Sequence, residues 1–377
     1  MARDVAKRFK LPLFKSIREA VCLGGKEFAV DAVLSIGEHG DYPYNKLGQH
    51  LYPRKRFFDE ITKPMIAGRS RIRAPIFNDK HLSYSWSEAK AMYDTCKKHG
   101  IPFMAGSSVP LAQRIPRLEL PAGTEIAEAV SIHGGGFESY DFHALEVLQS
   151  FVEGRKGGET GIAEVEVLVG DALQKAIRSG RISRKLIHAA MAAEKTAGKK
   201  RQPYPARPAR GLAVPKRKTT PNLKRPKGPH AIALTYKDGF RAVAMTVPGS
   251  ADRWNFACRL KGETRPRATM LFNGPWGNRC LFKALSHGIQ HLFKTRRQPY
   301  PVERTLLVTG ALEAAVRSFD AVGKPIKTPH LEFAYQPIDF RAMRENGESW
   351  RKITVKTKQP VKFSPGDGET ESPSRVR

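Results

Sequence analysis

The chain has 377 residues, of which 40% are apolar and 27% charged, and this composition excludes a wholly disordered protein. Its length is sufficient for two domains of ordinary size. The formal net charge of +29 predicts attraction to anionic partners such as nucleic acid, phosphate or a membrane surface. No apolar run approaches the roughly 20 residues of a membrane span, and no apolar signal core follows the charged start, so we expect a cytoplasmic protein with no membrane partner.

The first third of the chain alternates strand and helix signals. The predicted elements are a buried strand at residues 30–36, a helix at 56–67, a strand at 74–77, a helix beginning at Ser85 and a strand at 101–105. Ser85 and Glu88 have the spacing of a capping box, as do Ser16 and Glu19. This alternation predicts a parallel sheet covered by helices, in which ligands bind at the carboxyl ends of the strands.

The pattern changes from about residue 121. Strand signals at 127–132, 162–169, 230–236, 240–247, 254–260 and 331–335 accompany helix signals at 145–152, 173–177, 183–193, 281–292 and 308–319. We therefore predict an incomplete Rossmann-like parallel sheet at 1–120, followed by an α+β domain with a mostly antiparallel open sheet at 121–345. A disordered tail is expected at 346–377.

A basic, Pro-rich linker at residues 195–229 is expected to interrupt the second domain. Residues 195–227 hold twelve Lys or Arg and no Asp or Glu. We favour a solvated linker, and electrostatic binding of nucleic acid remains the alternative, because no sequence-reading motif accompanies the charge. The four cysteines, Cys22, Cys96, Cys258 and Cys280, are too scattered for a disulfide framework or a zinc knuckle.

Four motifs in order carry a resemblance to a known family. They are the VDAV strand at 30–33, Asp79-Lys80 before a helix and the strand at 101–104, the sequence HALE at 143–146, and the segment 299–331. Together they resemble the glucose–fructose oxidoreductase, inositol dehydrogenase and MocA (Gfo/Idh/MocA) family over most of residues 5–178 and 230–336.

The resemblance implies hydride transfer between a sugar or polyol and NAD or NADP. The family's E-K-P lysine and H-x-x-D histidine correspond to Lys80 and His143, which would be the catalytic acid/base pair. A solvated loop lysine and a packing histidine are the alternatives. The sequence departs from the family at Asp79, at His81 in place of proline, and at Ser139, where the family has an acid.

The remaining site residues follow from these positions. We expect the cofactor to contact Gly37, Glu38, His39 and Asp79, and the substrate to contact His81, Arg114 and Asp141. For Arg114 a surface loop position is the alternative. Histidines 39, 81 and 143 have no H-x-x-x-H spacing, so an unmetallated polar pocket is favoured and no metal is expected.

Two further expectations concern the whole chain. The family's glycine-rich nucleotide motif is absent, so we expect the chain to begin downstream of it. A family fold that lacks the cofactor loop and binds a small molecule or a partner without catalysis is therefore the alternative function. Because the family's second sheet packs a partner subunit on one face, a homo-oligomer is expected.

Overall fold

The computed structural model describes residues 2–37, 41–68, 73–196, 224–248, 253–273 and 279–344. These residues form a three-stranded parallel sheet and an eight-stranded, mostly antiparallel sheet. The predicted fold class, a Rossmann-like sheet followed by an α+β part, is confirmed. Within the described ranges no helix is both long enough and apolar enough to cross a membrane.

The parallel sheet has the strand order β1-β2-β3 and is flanked by helices. Its strands are β1 (Val33–Ser35), β2 (Ile76–Asp79) and β3 (Phe103–Gly106), and its helices are α1 (Ala2–Arg8), α2 (Ile17–Val21), α3 (Arg54–Ala67) and α4 (Trp86–His99). Phe58 and Ile61 of α3 and Met92 of α4 are buried against Ile76 and Phe103. This core aligns the carboxyl ends of β2 and β3.

Strand β1 lies at an open edge of this sheet. Leu34 and Ile36 are 52% and 62% exposed, so the expectation of a fully buried strand is wrong here. The apolar run at residues 30–36 did not indicate that β1 would pair with a single strand. Among the described residues, that strand is β2. A cleft of about 520 Å³ lies between β1, α2 and α3.

The helix ends follow the predictions in part. The Glu19 N–H donates to Ser16 Oγ at 3.1 Å, and Gly100 ends α4 in the left-handed conformation with φ 64°. The capping box predicted at Ser85 is wrong. Ser85 makes no side-chain cap, and Glu88 instead accepts a hydrogen bond from Ser83 Oγ at 2.5 Å.

The mixed sheet has the strand order β11-β6-β7-β8-β5-β9-β10-β4, and only the β5–β8 pair is parallel. Its strands are β4 (Gln113–Ile115), β5 (Ile126–His133), β6 (Ile162–Val169), β7 (His230–Tyr236), β8 (Arg241–Thr246), β9 (Trp254–Leu260), β10 (Arg267–Phe272) and β11 (Ile326–Lys327). The strand predicted at 331–335 is wrong. A 3₁₀ turn occupies Pro329–Leu331, and Leu331 packs against Gly310 instead of entering the sheet.

Helices cover both faces of the mixed sheet. They are α5 (Ser139–Val152) and α9 (Val302–Asp320) on one face, and α6 (Gly170–Arg178) and α7 (Arg184–Thr196) on the other; α8 (Arg279–Thr295) packs near β2 and β3. Leu173 and Leu186 cover Ile132 and Met245 on the second face. The chain's own helices therefore cover both faces of the mixed sheet.

Candidate active site

Lys80 follows the carboxyl end of β2 in a conformation unusual for lysine. Its φ is 66°, a left-handed value that costs a non-glycine residue about 1–2 kcal/mol. The Gly106 N–H at the end of β3 donates to the Lys80 carbonyl at 3.1 Å and fixes the turn. The Lys80 Nζ lies 3.1 Å from Asp79 Oδ2, and the two side chains are 14% and 9% exposed. The lysine is therefore largely enclosed and held beside a carboxylate.

His81 occupies the position of the family's proline. Asn78 Nδ2 donates to the carbonyls of Asp79 and His81 at 3.3 Å and shapes the turn. His81 Nδ1 donates to the Ser83 carbonyl at 2.9 Å, and Nε2 accepts from Arg54 at 3.1 Å. Burial, followed by the Arg54 charge, lowers the pKa of His81 well below its ordinary value. The ring is therefore neutral, and a substrate contact by His81 stays a prediction.

His143 projects from the first turns of α5 towards the end of β3. Its Nδ1 lies 2.6 Å from Ser107 Oγ, and Ser107 directly follows Gly106, which is bonded to Lys80. The ring also meets Trp254 edge to face at 5.4 Å. Lys80 and His143 are thus joined through two consecutive residues of one strand end. Ser107 was not predicted, although the Gly-Ser sequence that closes β3 marks this edge.

Glu146 is a buried acid one helical turn after His143. A Cβ at Gly106 would lie 3.2 Å from Glu146 Oε2 and 2.6 Å from Thr305 Oγ1, so only glycine fits there at φ 122°. Burial raises the pKa of Glu146 to about 7, although the Arg304 charge lowers it. The Thr305 hydroxyl and the Ser107 backbone N–H, which face this carboxyl, also lower its pKa. The sequence placed Glu146 in a motif but did not mark it as a site residue.

Asp141 does not face His143. Its Oδ1 lies 2.8 Å from His230 Nε2 and 3.0 Å from His133 Nε2, and its Oδ2 accepts the Glu138 N–H at 2.8 Å. Burial alone would raise the pKa of Asp141, but His230 and His133 outweigh it and lower the pKa. The two histidines were missed because they come from the ends of separate strands, a proximity that no local pattern encodes.

Comparison with solved structures shows which proteins share this architecture. GenD2 from gentamicin A biosynthesis, solved in complex with NAD, is 12% identical with a TM-score of 0.52, over 86% of this chain and 85% of that one. The apo scyllo-inositol dehydrogenase from Lactobacillus casei is 10% identical with a TM-score of 0.50, over 86% of each chain. The fold is that of the Gfo/Idh/MocA-type dehydrogenases. No family model and no curated protein sequence matches the chain.

The remaining predicted residues are Arg114, Gly37, Glu38 and His39. Arg114 is in β4, not in a surface loop; it is 9% exposed, stacks over Phe151 at 3.8 Å and pairs with Glu119 at 3.4 Å. Gly37 follows β1 and packs against Phe57. Glu38 and His39 lie outside the described residues.

Proposed function

We propose that this protein is an oxidoreductase that uses NAD or NADP to oxidise a sugar or polyol, with Lys80 and His143 as its acid/base pair. The observation that supports the proposal is that Lys80 and His143 are each hydrogen-bonded to neighbouring residues at the end of β3, at one edge of the parallel sheet. Lys80 is fixed by the Gly106 N–H, and His143 is held by Ser107, the next residue. Ligands of open α/β sheets bind at this edge.

The two side chains suit the proton transfer that accompanies alcohol oxidation. A bound nicotinamide cofactor supplies the hydride acceptor. The hydroxyl proton needs a base within hydrogen-bond reach, and the His143 imidazole or the Lys80 amine can take it. Asp79 lies 3.1 Å from the Lys80 Nζ and positions the amine. Gly37 and Asp79, at the carboxyl ends of β1 and β2, are the described residues that would contact the cofactor.

The first test is a titration of the full chain with NADH and NADPH, followed by thermal shift. We expect saturable binding in the micromolar range, about −8 kcal/mol. A sugar and polyol screen should then find turnover that falls about 100-fold or more in Lys80→Gln and His143→Gln. Lys90→Gln, at an exposed lysine paired with Asp94, is the matched control and should behave like the wild type. Absence of binding at millimolar cofactor would exclude the dehydrogenase function for this chain.

A non-catalytic ligand-binding protein is the second candidate. It is favoured by Ser139, which stands where the family has an acid, and by Asp141, which is engaged by His133 and His230. In that case a sugar or polyol would raise the melting temperature without any change in nicotinamide absorbance. The same screen therefore separates the two functions.

A further inference from the structure

Three buried side chains converge behind the candidate active site. His133 ends β5, Asp141 lies in the first turn of α5, and His230 begins β7. One ligand atom from each lies within 4.8 Å of the other two. The three residues are 0–2% exposed, so the chain itself encloses the cluster.

The three side chains are of the types that bind metal ions in proteins. Two imidazoles and one carboxylate are a donor set for zinc or iron. Asp141 Oδ1 lies 2.8 and 3.0 Å from the two Nε2 atoms. Ligands about 2.1 Å from a tetrahedral metal are about 3.4 Å apart, so the carboxylate and the imidazoles separate by about 0.5 Å when an ion binds. Thr246 Oγ1 lies 3.2 Å from His133 Nε2 and 3.1 Å from His230 Nε2, next to a fourth position.

Two ring nitrogens, a carboxylate and a hydroxyl lie within hydrogen-bond distance of one another. His230 Nε2 lies 2.8 to 3.1 Å from three oxygens, two of Asp141 and one of Thr246. His133 Nε2 similarly approaches Asp141 and Thr246. Each ring nitrogen carries at most one hydrogen, and the Thr246 hydroxyl can itself donate, so two Nε2–H groups that donate to Asp141 are the hydrogen-bonded alternative to a bound cation. A cation shared by the nitrogens and the carboxylate satisfies them together.

We propose that His133 Nε2, His230 Nε2 and Asp141 Oδ1 bind one divalent transition-metal ion of the zinc type. The Glu138 N–H orients the second carboxylate oxygen at 2.8 Å, as outer-shell donors do around bound metals. Trp254 contacts both His133 and His143, at ring distances of 6.3 and 5.4 Å. The metal is therefore adjacent to the Lys80–His143 pair but separate from it.

The metal has a structural role. It joins the end of β5 and the start of β7 to the first turn of α5, the helix that carries His143. His230 is also where the chain enters the mixed sheet after the basic linker. Enclosure by the chain is typical of structural metal sites, whereas catalytic sites keep a position open to substrate.

The test uses tag-free, full-length protein that has been stripped with a chelator and dialysed. We expect one equivalent of Zn²⁺ per chain by elemental analysis and a melting temperature that rises with Zn²⁺ concentration. Co²⁺ should bind at the same stoichiometry and give visible d–d bands without a thiolate charge-transfer band. Asp141→Asn and His230→Gln should each weaken binding at least 100-fold. His188→Gln, at an exposed histidine of α7, is the control and should bind like the wild type.

Several results would overturn the proposal. The wild-type titrations test the site even if the variants do not fold. Failure of the wild type to bind Zn²⁺ stoichiometrically would exclude this site, and so would a thiolate charge-transfer band with Co²⁺. Undiminished binding in a folded Asp141→Asn, His230→Gln double variant would place the metal elsewhere. Circular dichroism of each variant establishes that it is folded. None of these measurements depends on cofactor binding or turnover.

Discussion

The Glu146 carboxyl makes a pH-dependent contribution to stability. Burial raises its pKa to about 7 in the folded protein, whereas an unfolded glutamate titrates near ~4.3. The folded state therefore holds the proton more tightly than the unfolded state. The contribution is fully present below about pH 4.3 and is lost as the pH rises through about 7.

Replacing Glu146 with glutamine isolates this effect. The difference of about 2.7 between the folded and unfolded pKa values corresponds to about 3.7 kcal/mol, so Glu146→Gln should be more stable than the wild type at pH 8 by up to that amount. At pH 5 the two proteins should differ by less than about 1 kcal/mol. Urea unfolding at several pH values measures the difference, and Glu27→Gln, at an exposed glutamate, is the control.

Glu138 also contributes to the pH dependence of wild-type stability. It is present in both proteins, so it does not affect the comparison between wild type and Glu146→Gln. Burial raises its pKa to about 7 as well, against the Arg225 charge, so Glu146→Gln removes only part of the slope. A stability difference between wild type and Glu146→Gln that does not change from pH 5 to pH 8 would show that Glu146 is charged throughout this range.

Helices α5 and α9 are tied together by a buried ion pair. Arg304 Nε donates to Glu153 Oε2 at 2.8 Å, and the Tyr335 hydroxyl donates to the same oxygen at 2.8 Å. Arg304 is fully buried and is also the main charge that lowers the pKa of Glu146. The tie therefore fixes α5, which carries His143, against the helix that supplies Thr305 to Gly106.

Replacing Arg304 should lower the free energy of unfolding far more than replacing an exposed arginine. Arg304→Met leaves Glu153 buried without its cation, which should cost about 3–5 kcal/mol of unfolding free energy. Arg317→Met removes an exposed i,i+4 pair with Glu313 on the same helix and should cost less than about 1 kcal/mol. Chemical denaturation measures both variants. If both variants lost the same unfolding free energy, burial would not be what makes the Arg304–Glu153 pair important for stability.

The sequence predicted elements where periodicity was strong and missed those that depend on packing. The alternation of apolar and polar residues in β6 and the apolar stripe of α9 were strong enough to predict both elements. Strand β11 has two residues and exists only because it pairs with Val165 and Glu164. Lys80 and His143 followed from motif order. Ser107, His133 and His230 become neighbours of the site only when strand ends meet, so no local spacing could reveal them.

The two faces of the mixed sheet bear on assembly. Helices α6 and α7 bury Ile132 and Met245 on one face of this sheet, and helices α5 and α9 cover the other. A homo-oligomer stays a prediction, and in the described residues a partner subunit would meet helices on either face of the sheet.

The net charge of +29 acts at the scale of the whole molecule. Twelve basic residues without an acidic one lie at 195–227, and a field of this kind binds polyanions without reading sequence. If this segment binds nucleic acid, the alternative to the solvated linker that we favour, the chain should bind mixed-sequence DNA at low salt, with an affinity that falls linearly on a log–log plot against salt concentration.

Deletion of residues 199–223, which hold eight Lys or Arg, distinguishes the contribution of this segment to DNA binding from that of the remaining chain. The deletion should weaken DNA binding and make the salt dependence shallower, because each lost phosphate contact removes about 0.9 from the slope. A variant with the segment scrambled keeps its charge and should bind like the wild type in fluorescence anisotropy. Loss of binding on scrambling would mean that the order of residues is recognised. An unchanged slope on deletion would place the binding on the charges of the remaining chain.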